Sequence, residues 1–395
     1  MRVLMFSWEY PPHVVGGLGK HVMELMPALV RQGVTVHLVT PAWSGGEPRE
    51  VVDGITVHRV PPPVPVGDNI HDTAWRTNQE LQRYVEQLWP EVGGFDIIHA
   101  HDWLVAFAAC ELRRLFHLPL VVTMHATERG RGGGHLLGEM AAAIHSTEQW
   151  LVGEAQRIIV TSQYMAGQVQ EEFGVAADRV HVVPNGVDTA RFDRYEGPDL
   201  SSFRRLYALP EEKLVFSVGR VEYVKGWHVL LEAAPRVLAQ CPQTRFVVAG
   251  NGGELEHLRG RAGALGIASR VLFTGLISDD DRDRLYRVAD AAVFPSLYEP
   301  FGIVALEAMA ARCPVVVSAI GGLQEVVRCY ETGITVYPGN ADSLAWGILQ
   351  VLTQPEQAQT WAAAAYRLVR EQYHWDRLAA LTVAVYERAQ GDWTT

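Results

Sequence analysis

The residues best equipped for chemistry are two glutamates with seven residues between them, in the stretch Tyr298-Glu299-Pro300-Phe301-Gly302-Ile303-Val304-Ala305-Leu306-Glu307. Pro300 suits the first turn of a helix, where a missing N–H costs nothing. The helix this predicts runs to about Ala311 and is apolar almost all round, so it should be buried. Glu299 then sits at the helix mouth and Glu307 two turns in, on the face of Ile303. An unpaired buried carboxylate costs several kcal/mol, so each needs a partner. Phe301 and Gly302 offer backbone N–H groups where the helix dipole favours an anion. A ligand with phosphate in its middle and hydroxyls at both ends meets all these demands.

A second constellation is Gly219-Arg220-Val221-Glu222-Tyr223-Val224-Lys225-Gly226. Two cations bracketed by glycines, between a strand and a helix, make a diphosphate clamp. Gly16 and Gly17 lie in another Gly-rich turn that opens a helix, where backbone can approach an anion closely. Their spacing is not that of a dinucleotide fingerprint. Three polar groups fall at the carboxyl ends of predicted strands, where open parallel sheets gather ligands: His101 and Asp102 on one strand, His125 on the next. Arg129 and the glycine-rich run Gly130 to Gly138 follow, reading as a mobile loop on the acceptor side. Gly250, after the strand Phe246 to Ala249, stands where a nucleotide base could lie. A metal-ligand reading of His99, His101 and His125 is disfavoured. The acidic run Asp279 to Asp283 contains an Asp-x-Asp pattern, but Ser278 is a good N-cap. Acids in a first turn suit the dipole, and they are expected to face solvent.

The elements that position these groups alternate. Strand, Gly-rich loop, helix and strand from Val3 to Val39 form a βαβ unit. Runs at residues 95–103, 119–124, 158–161 and 180–184 predict further strands, the first of them ending in polar residues. A polar linker is expected from Arg191 to Leu200. A new series begins at Leu214 to Val218 and continues at 246–249, 271–273, 291–294 and 314–317. Helices are expected around residues 341–352, 355–371 and 375–389.

A chain of 395 residues suggests two domains. A formal charge of −11 argues against nucleic acid as a partner and mildly against anionic lipid. The four cysteines show no CxxC spacing and read as buried small residues in a reducing compartment. The first residues lack the pattern of a signal peptide, and no apolar run approaches the ~20 residues of a membrane span. The expectation is a soluble, cytoplasmic protein without integral membrane contact.

The glutamate pair with Phe-Gly between the acids resembles the signature of retaining GT-B glycosyltransferases, the group of glycogen and starch synthases and of glycosyltransferase family 4. The Arg-Lys-Gly clamp, the Gly-Gly loop and the His101-Asp102-Trp103 segment resemble further motifs of that group, in the same order and over nearly the whole chain. The resemblance implies an α/β GT-B fold: two Rossmann-like α/β/α domains facing each other across a cleft. An acceptor-side domain would span residues 1–192 and take back a crossover helix, 375–395. A donor domain would span 200–373. It implies a metal-independent enzyme with no cofactor, moving a hexose, best guess glucose, from a nucleotide diphosphate sugar to an acceptor hydroxyl. Glu299, Arg220, Lys225 and His125 would be catalytic. Gly16, Gly17, Phe301, Gly302, Ile303, Glu307 and Gly250 would bind the donor, with Glu307 on the ribose. His101, Asp102 and Arg129 would lie towards the acceptor. An α-1,4-glucan is the favoured acceptor, although Val14-Val15 replace the Lys-x that precedes the glycines in bacterial glycogen synthases. The alternatives are a lipid-linked or small-molecule acceptor, a sugar-nucleotide epimerase, or a binding protein without catalysis.

Overall fold

The structure is a computed structural model that describes residues 1–394. The chain divides into two compact units, Met1–Gly186 joined by the helix Trp375–Thr394, and Val187–His374.

The first unit is built on β1 (Arg2–Phe6), β2 (Thr35–Pro41), β3 (Arg49–Val52), β4 (Ile55–Val60), β5 (Ile97–His101), β6 (Leu120–Met124), β7 (Arg157–Val160) and β8 (Val180–Val182). They form one sheet in the order β3-β4-β2-β1-β5-β6-β7-β8, parallel except for the β3–β4 hairpin. That hairpin was not expected. Its turn is Asp53-Gly54, both at positive φ (50° and 80°), the backbone a tight two-residue turn demands. Helices cover both faces, which is why these strands read as unbroken apolar runs. One core layer gathers Leu4, Phe6, Val122 and Leu151; the other gathers Val3, Met5, Leu25 and Tyr386. The helix Trp375–Thr394 belongs to the second layer, with Trp375 Nε1 donating to Glu24 Oε2 at 2.6 Å.

The second unit carries β9 (Lys213–Val218), β10 (Thr244–Ala249), β11 (Val271–Gly275), β12 (Ala291–Phe294), β13 (Val315–Ser318) and β14 (Ile334–Val336). All pairings are parallel, in the order β11-β10-β9-β12-β13-β14. Both sheets reverse their strand order beside their first strand, between β1 and β5 and between β9 and β12. Such switch points open a crevice at the carboxyl ends of the strands, and ligands bind there.

Four expectations need correction. The first boundary falls at Gly186, not near residue 192. Val187 and Phe192 are buried in the second unit's core, so the stretch expected to be a linker begins as structure. The helix after Pro300 starts only at Ile303, because Gly302 at its N-cap is left-handed. Asp283 is fully buried rather than solvent-facing. Cys110 and Cys313 are buried as expected, but Cys329 is exposed.

Candidate active site

In the second unit, the site residues come from the loops after β9 and β12, the two strands at the switch point. The Lys225 Nζ donates to Glu299 Oε2 at 2.8 Å, and Ser296 Oγ donates to the same oxygen at 3.1 Å. Glu299 is only 7% exposed, so this pair is the partner its burial required. Backbone pairing holds the two loops together: Leu297 N donates to Val224 O at 2.7 Å. Gly226 follows at φ +69°, where an added Cβ would lie 1.9 Å from the Pro295 carbonyl oxygen. Lys225 therefore reaches Glu299 because the glycine lets its loop press onto the other.

Gly302 has φ +100°, and a Cβ there would come within 2.4 Å of Leu323 Cδ2. The left-handed turn ends the Glu299 loop and starts the helix Ile303–Ala310. Ala305 N donates back to Gly302 O at 3.0 Å, and the dipole aims the N–H groups ahead of it at an anion. The Phe301 ring faces inward, into the core with Leu323 and Tyr373. Gly250 follows β10 directly, at φ +138°. Its N–H is donated to Gly275 O at 2.8 Å, so it serves the backbone crossing at the end of β10. Arg220 has its side chain half exposed (50%) and paired with Glu222 at 2.7 Å. It is not drawn to Glu299 as Lys225 is.

Glu307 is 1% exposed and belongs to a charge network that the sequence reading missed. Arg191 donates from Nη2 to Glu307 Oε1 at 3.0 Å and pairs through Nε with Asp283 Oδ2 at 2.9 Å. Arg282 donates to Asp283 Oδ1 at 2.9 Å and lies 3.7 Å from Glu307, while Tyr286 donates its hydroxyl to Glu307 Oε2 at 3.3 Å. Burial alone would lower the Arg282 guanidinium, but the Glu307 and Asp283 carboxylates outweigh it and hold it above its ordinary value. Burial pushes Asp283 up, against the pull of Arg191 and Arg282. Two cations and two carboxylates thus share one buried patch, balanced in charge. The only sequence signal was the Arg-Asp pair inside the acidic run.

In the first unit, the loop after β1 carries a correction. Gly16 was expected to offer its N–H to a ligand anion. Instead, Glu9 Oε2 accepts from the backbone N–H of both Val15 and Gly16, each at 2.9 Å. The carboxylate fills the seat from within the chain. The sterically constrained glycine is Gly19, where a Cβ would lie 2.9 Å from that same Glu9 oxygen. Gly17 is exposed as the first residue of the helix Gly17–Arg31.

His101 ends β5 fully buried, and its Nδ1 shares a hydrogen bond with His125 Nε2 at 3.1 Å. Asp102, with φ at +59°, turns its carboxylate away from solvent to accept from His125 N at 2.7 Å. It holds the His125 loop in place rather than facing an acceptor. Burial raises Asp102 to about 6 despite Arg131 and the backbone donors. Burial also pushes His125 down to about 3, with Arg131 adding repulsion, so the imidazole is neutral near neutrality. On the other side of the loop, buried Glu148 accepts from Glu128 N at 2.9 Å, and burial lifts it to about 8. Arg129 lies in the short helix Glu128–Arg131, with its Nε buried and without a hydrogen-bond partner among the described residues. His21, on the first helix, was not singled out in the sequence. Its ring packs 4.7 Å from that of His125 and 5.3 Å from that of His101.

The chain matches two families: glycosyl transferases group 1 over residues 202–368 and glycosyltransferase family 4 over residues 15–191. It is 36% identical to a glycogen synthase of Mycobacterium tuberculosis, covering 99% of this chain and 95% of the relative. It is 32% identical to a D-inositol 3-phosphate glycosyltransferase of Geodermatophilus obscurus, covering 95% and 85%. Among solved structures, a sucrose-phosphate synthase of Thermosynechococcus elongatus superposes with a TM-score of 0.84 at 25% identity, covering 99% of each chain. Two parallel-sheet units, a Lys–Glu pair at the switch point of the second, and full-length similarity of this kind converge on one conclusion: the chain belongs to the GT-B glycosyltransferases of group 1 and family 4.

Proposed function

We propose that the protein moves a hexose, most simply glucose, from a nucleoside diphosphate sugar to a glucan hydroxyl with retention of the α configuration. The observation that carries this reading is the Lys225–Glu299 pair, 2.8 Å apart at the mouth of the helix Ile303–Ala310. A cation and a helix N-terminus together stabilise a departing diphosphate, and the carboxylate beside them can orient sugar hydroxyls. On donor binding Lys225 turns from Glu299 to phosphate, and Glu299 is released towards the sugar. Arg220, already half exposed, can swing from Glu222 to the same charge. Glu307 holds the ribose by its remaining lone pairs, kept in position by Arg191 and Tyr286. Neutral His125 offers a hydrogen bond to the transferred sugar. No second carboxylate is available as nucleophile in this reading. The acceptor therefore attacks on the face the diphosphate leaves, and the diphosphate takes its proton. The charge is met by protein groups, so no divalent metal or cofactor is required.

Similarity to glycogen synthase over the full chain supports a glucan acceptor. The relative acting on D-inositol 3-phosphate favours a second reading, a small phosphorylated polyol as acceptor. The test is a panel of ADP-, UDP- and GDP-sugars assayed with maltooligosaccharide and with inositol phosphate. Chain extension of maltooligosaccharide is the expected result. Transfer only to the polyol selects the second reading, and no transfer to any hydroxyl removes both.

A further inference from the structure

We propose that His21, His101 and His125 form a binding site for a transition-metal cation of the zinc or cobalt(II) class, and that its occupation shuts the enzyme off. One nitrogen from each of the three imidazoles lies within 4.8 Å of the others. His21 and His101 are buried and His125 is half-buried, and each is carried by a different element: the first helix, the end of β5 and the loop after β6. His21 Nδ1 lies 2.6 Å from Asn185 Oδ1, an oxygen that only accepts, so the proton sits on Nδ1 and the Nε2 lone pair is left over. That Nε2 is buried and has no hydrogen-bond partner among the described residues, and the same holds for His101 Nε2. A buried polar atom left unmet costs about 1–3 kcal/mol, so the His21 Nε2 lone pair, packed beside the His101 and His125 rings, signals a missing companion. Behind His101, the His99 ring is fixed by Tyr386 (2.6 Å) and Thr123 (2.7 Å), which makes the back wall rigid.

The donor set selects the cation. Three neutral imidazoles and no carboxylate suit zinc, cobalt, nickel or copper, and not magnesium or calcium. A metal-bound histidine typically donates its other N–H to a carbonyl, as His21 does to Asn185. A tetrahedral zinc with bonds near 2.0–2.1 Å sets its nitrogens roughly 3.4 Å apart. His101 and His125 already meet at 3.1 Å. A separation of up to 4.8 Å has to close by about 1.4 Å at most, within reach of ring rotations. The entering cation takes the place of the proton now between His101 Nδ1 and His125 Nε2, and that proton moves to the far nitrogen of its own ring, so all three imidazoles stay neutral. Binding therefore stands by itself, whereas inhibition rests on the proposed contact of His125 with the sugar: a His125 held by metal cannot make it.

Fifteen histidines in the chain make a site-specific control necessary. The full-length protein is titrated with cobalt(II), which gives strong visible absorption only in tetrahedral or similarly low-coordinate sites. One equivalent should bind, zinc should displace it, and His21→Gln should abolish the signal while keeping metal-free transfer activity. Micromolar zinc should inhibit the parent and be reversed by chelator, and His21→Gln should need at least tenfold more. If circular dichroism shows that His21→Gln does not fold, Asn185→Ala takes its place and should weaken cobalt binding about 10–100-fold, the usual loss for an orienting partner. No tetrahedral cobalt spectrum, or the same spectrum and affinity in these variants, overturns the proposal. The spectrum needs no nucleotide sugar, so its failure leaves the transferase reading intact, and a failed transfer assay leaves the metal site intact.

Discussion

The two units solve the problem of buried polarity in opposite ways. In the first, the switch point is packed with imidazoles that burial keeps neutral: His21, His99 and His101 are held far below their ordinary value. In the second, charges are kept and cancelled: Arg191 and Arg282 against Asp283 and Glu307, Lys225 against Glu299. The same doubly wound topology supports both. A neutral cluster tolerates the loss of one member, whereas a compensated cluster leaves an uncompensated charge behind. The difference suits the proposed function, in which the highly charged diphosphate goes to the unit already built from ion pairs.

The largest effect is expected at Lys225. Lys225→Ala should lower kcat on the order of 10²-fold or more, the range for removing an electrostatic stabiliser. Lys225→Arg should rescue poorly, because a planar fork replaces a compact ammonium. Steady-state kinetics with saturating donor decide this, and near-parental kcat in either variant would remove the clamp.

Asp283→Asn comes next. It strips Arg191 and Arg282 of one carboxylate inside a buried network, and breaking such a pair costs about 3–5 kcal/mol. Urea unfolding should show that loss, and the variant should also raise donor KM by loosening Glu307. A change under about 1 kcal/mol would mean the network is no more than a surface ion pair in effect.

Acid should then separate the units. Unfolded histidines titrate near 6.5, far above their folded positions in the first unit; His125 stands at about 3, His37 and His58 at about 4. Between those values the unfolded chain binds protons that the folded unit refuses, so stability falls as pH drops through that window. Asp102, raised from 3.8 to about 6, and Glu148, raised from 4.5 to about 8, act with the opposite sign, because their folded forms hold protons first. Eight depressed histidines in the first unit outweigh two raised carboxylates. Hydrogen exchange at about pH 7 and about pH 4.5 should show the first unit opening before the second. Earlier opening of residues 187–374 would contradict the comparison.

Much of this was legible in the sequence. Period-two and unbroken apolar runs placed most strands, and the glutamate pair marked the loop after β12 and the helix it opens, because both signals are local. What stayed hidden was made by tertiary contact. Arg191 looked like linker until Glu307, 116 residues away, gave it a partner. His21 looked like any polar residue of an amphipathic helix, and its meaning comes from Asn185, 164 residues on. The Asp279–Asp283 run was half right: Ser278 does cap the helix, accepting from Asp281 N at 3.0 Å, but Asp283, two residues on and so across the helix, is buried. In the Gly16 loop, composition suggested a ligand anion, and the chain supplied its own from Glu9.

The smallest effect is expected at Asp281, whose backbone N–H meets the Ser278 cap while its side chain takes no part in the buried network. Asp281→Asn should leave transfer within about twofold of the parent and leave stability within about 0.5 kcal/mol. Loss of activity there would revive a metal-binding reading of the acidic run.

The most direct test of the account is the configuration of the product formed in excess EDTA. Proton NMR of maltooligosaccharide extended from the preferred α-linked nucleotide glucose should show a new α anomeric signal. Its rate should match that without chelator and should collapse in Glu299→Ala. A β-linked product, or transfer that stops with EDTA and returns with magnesium or manganese, would contradict it.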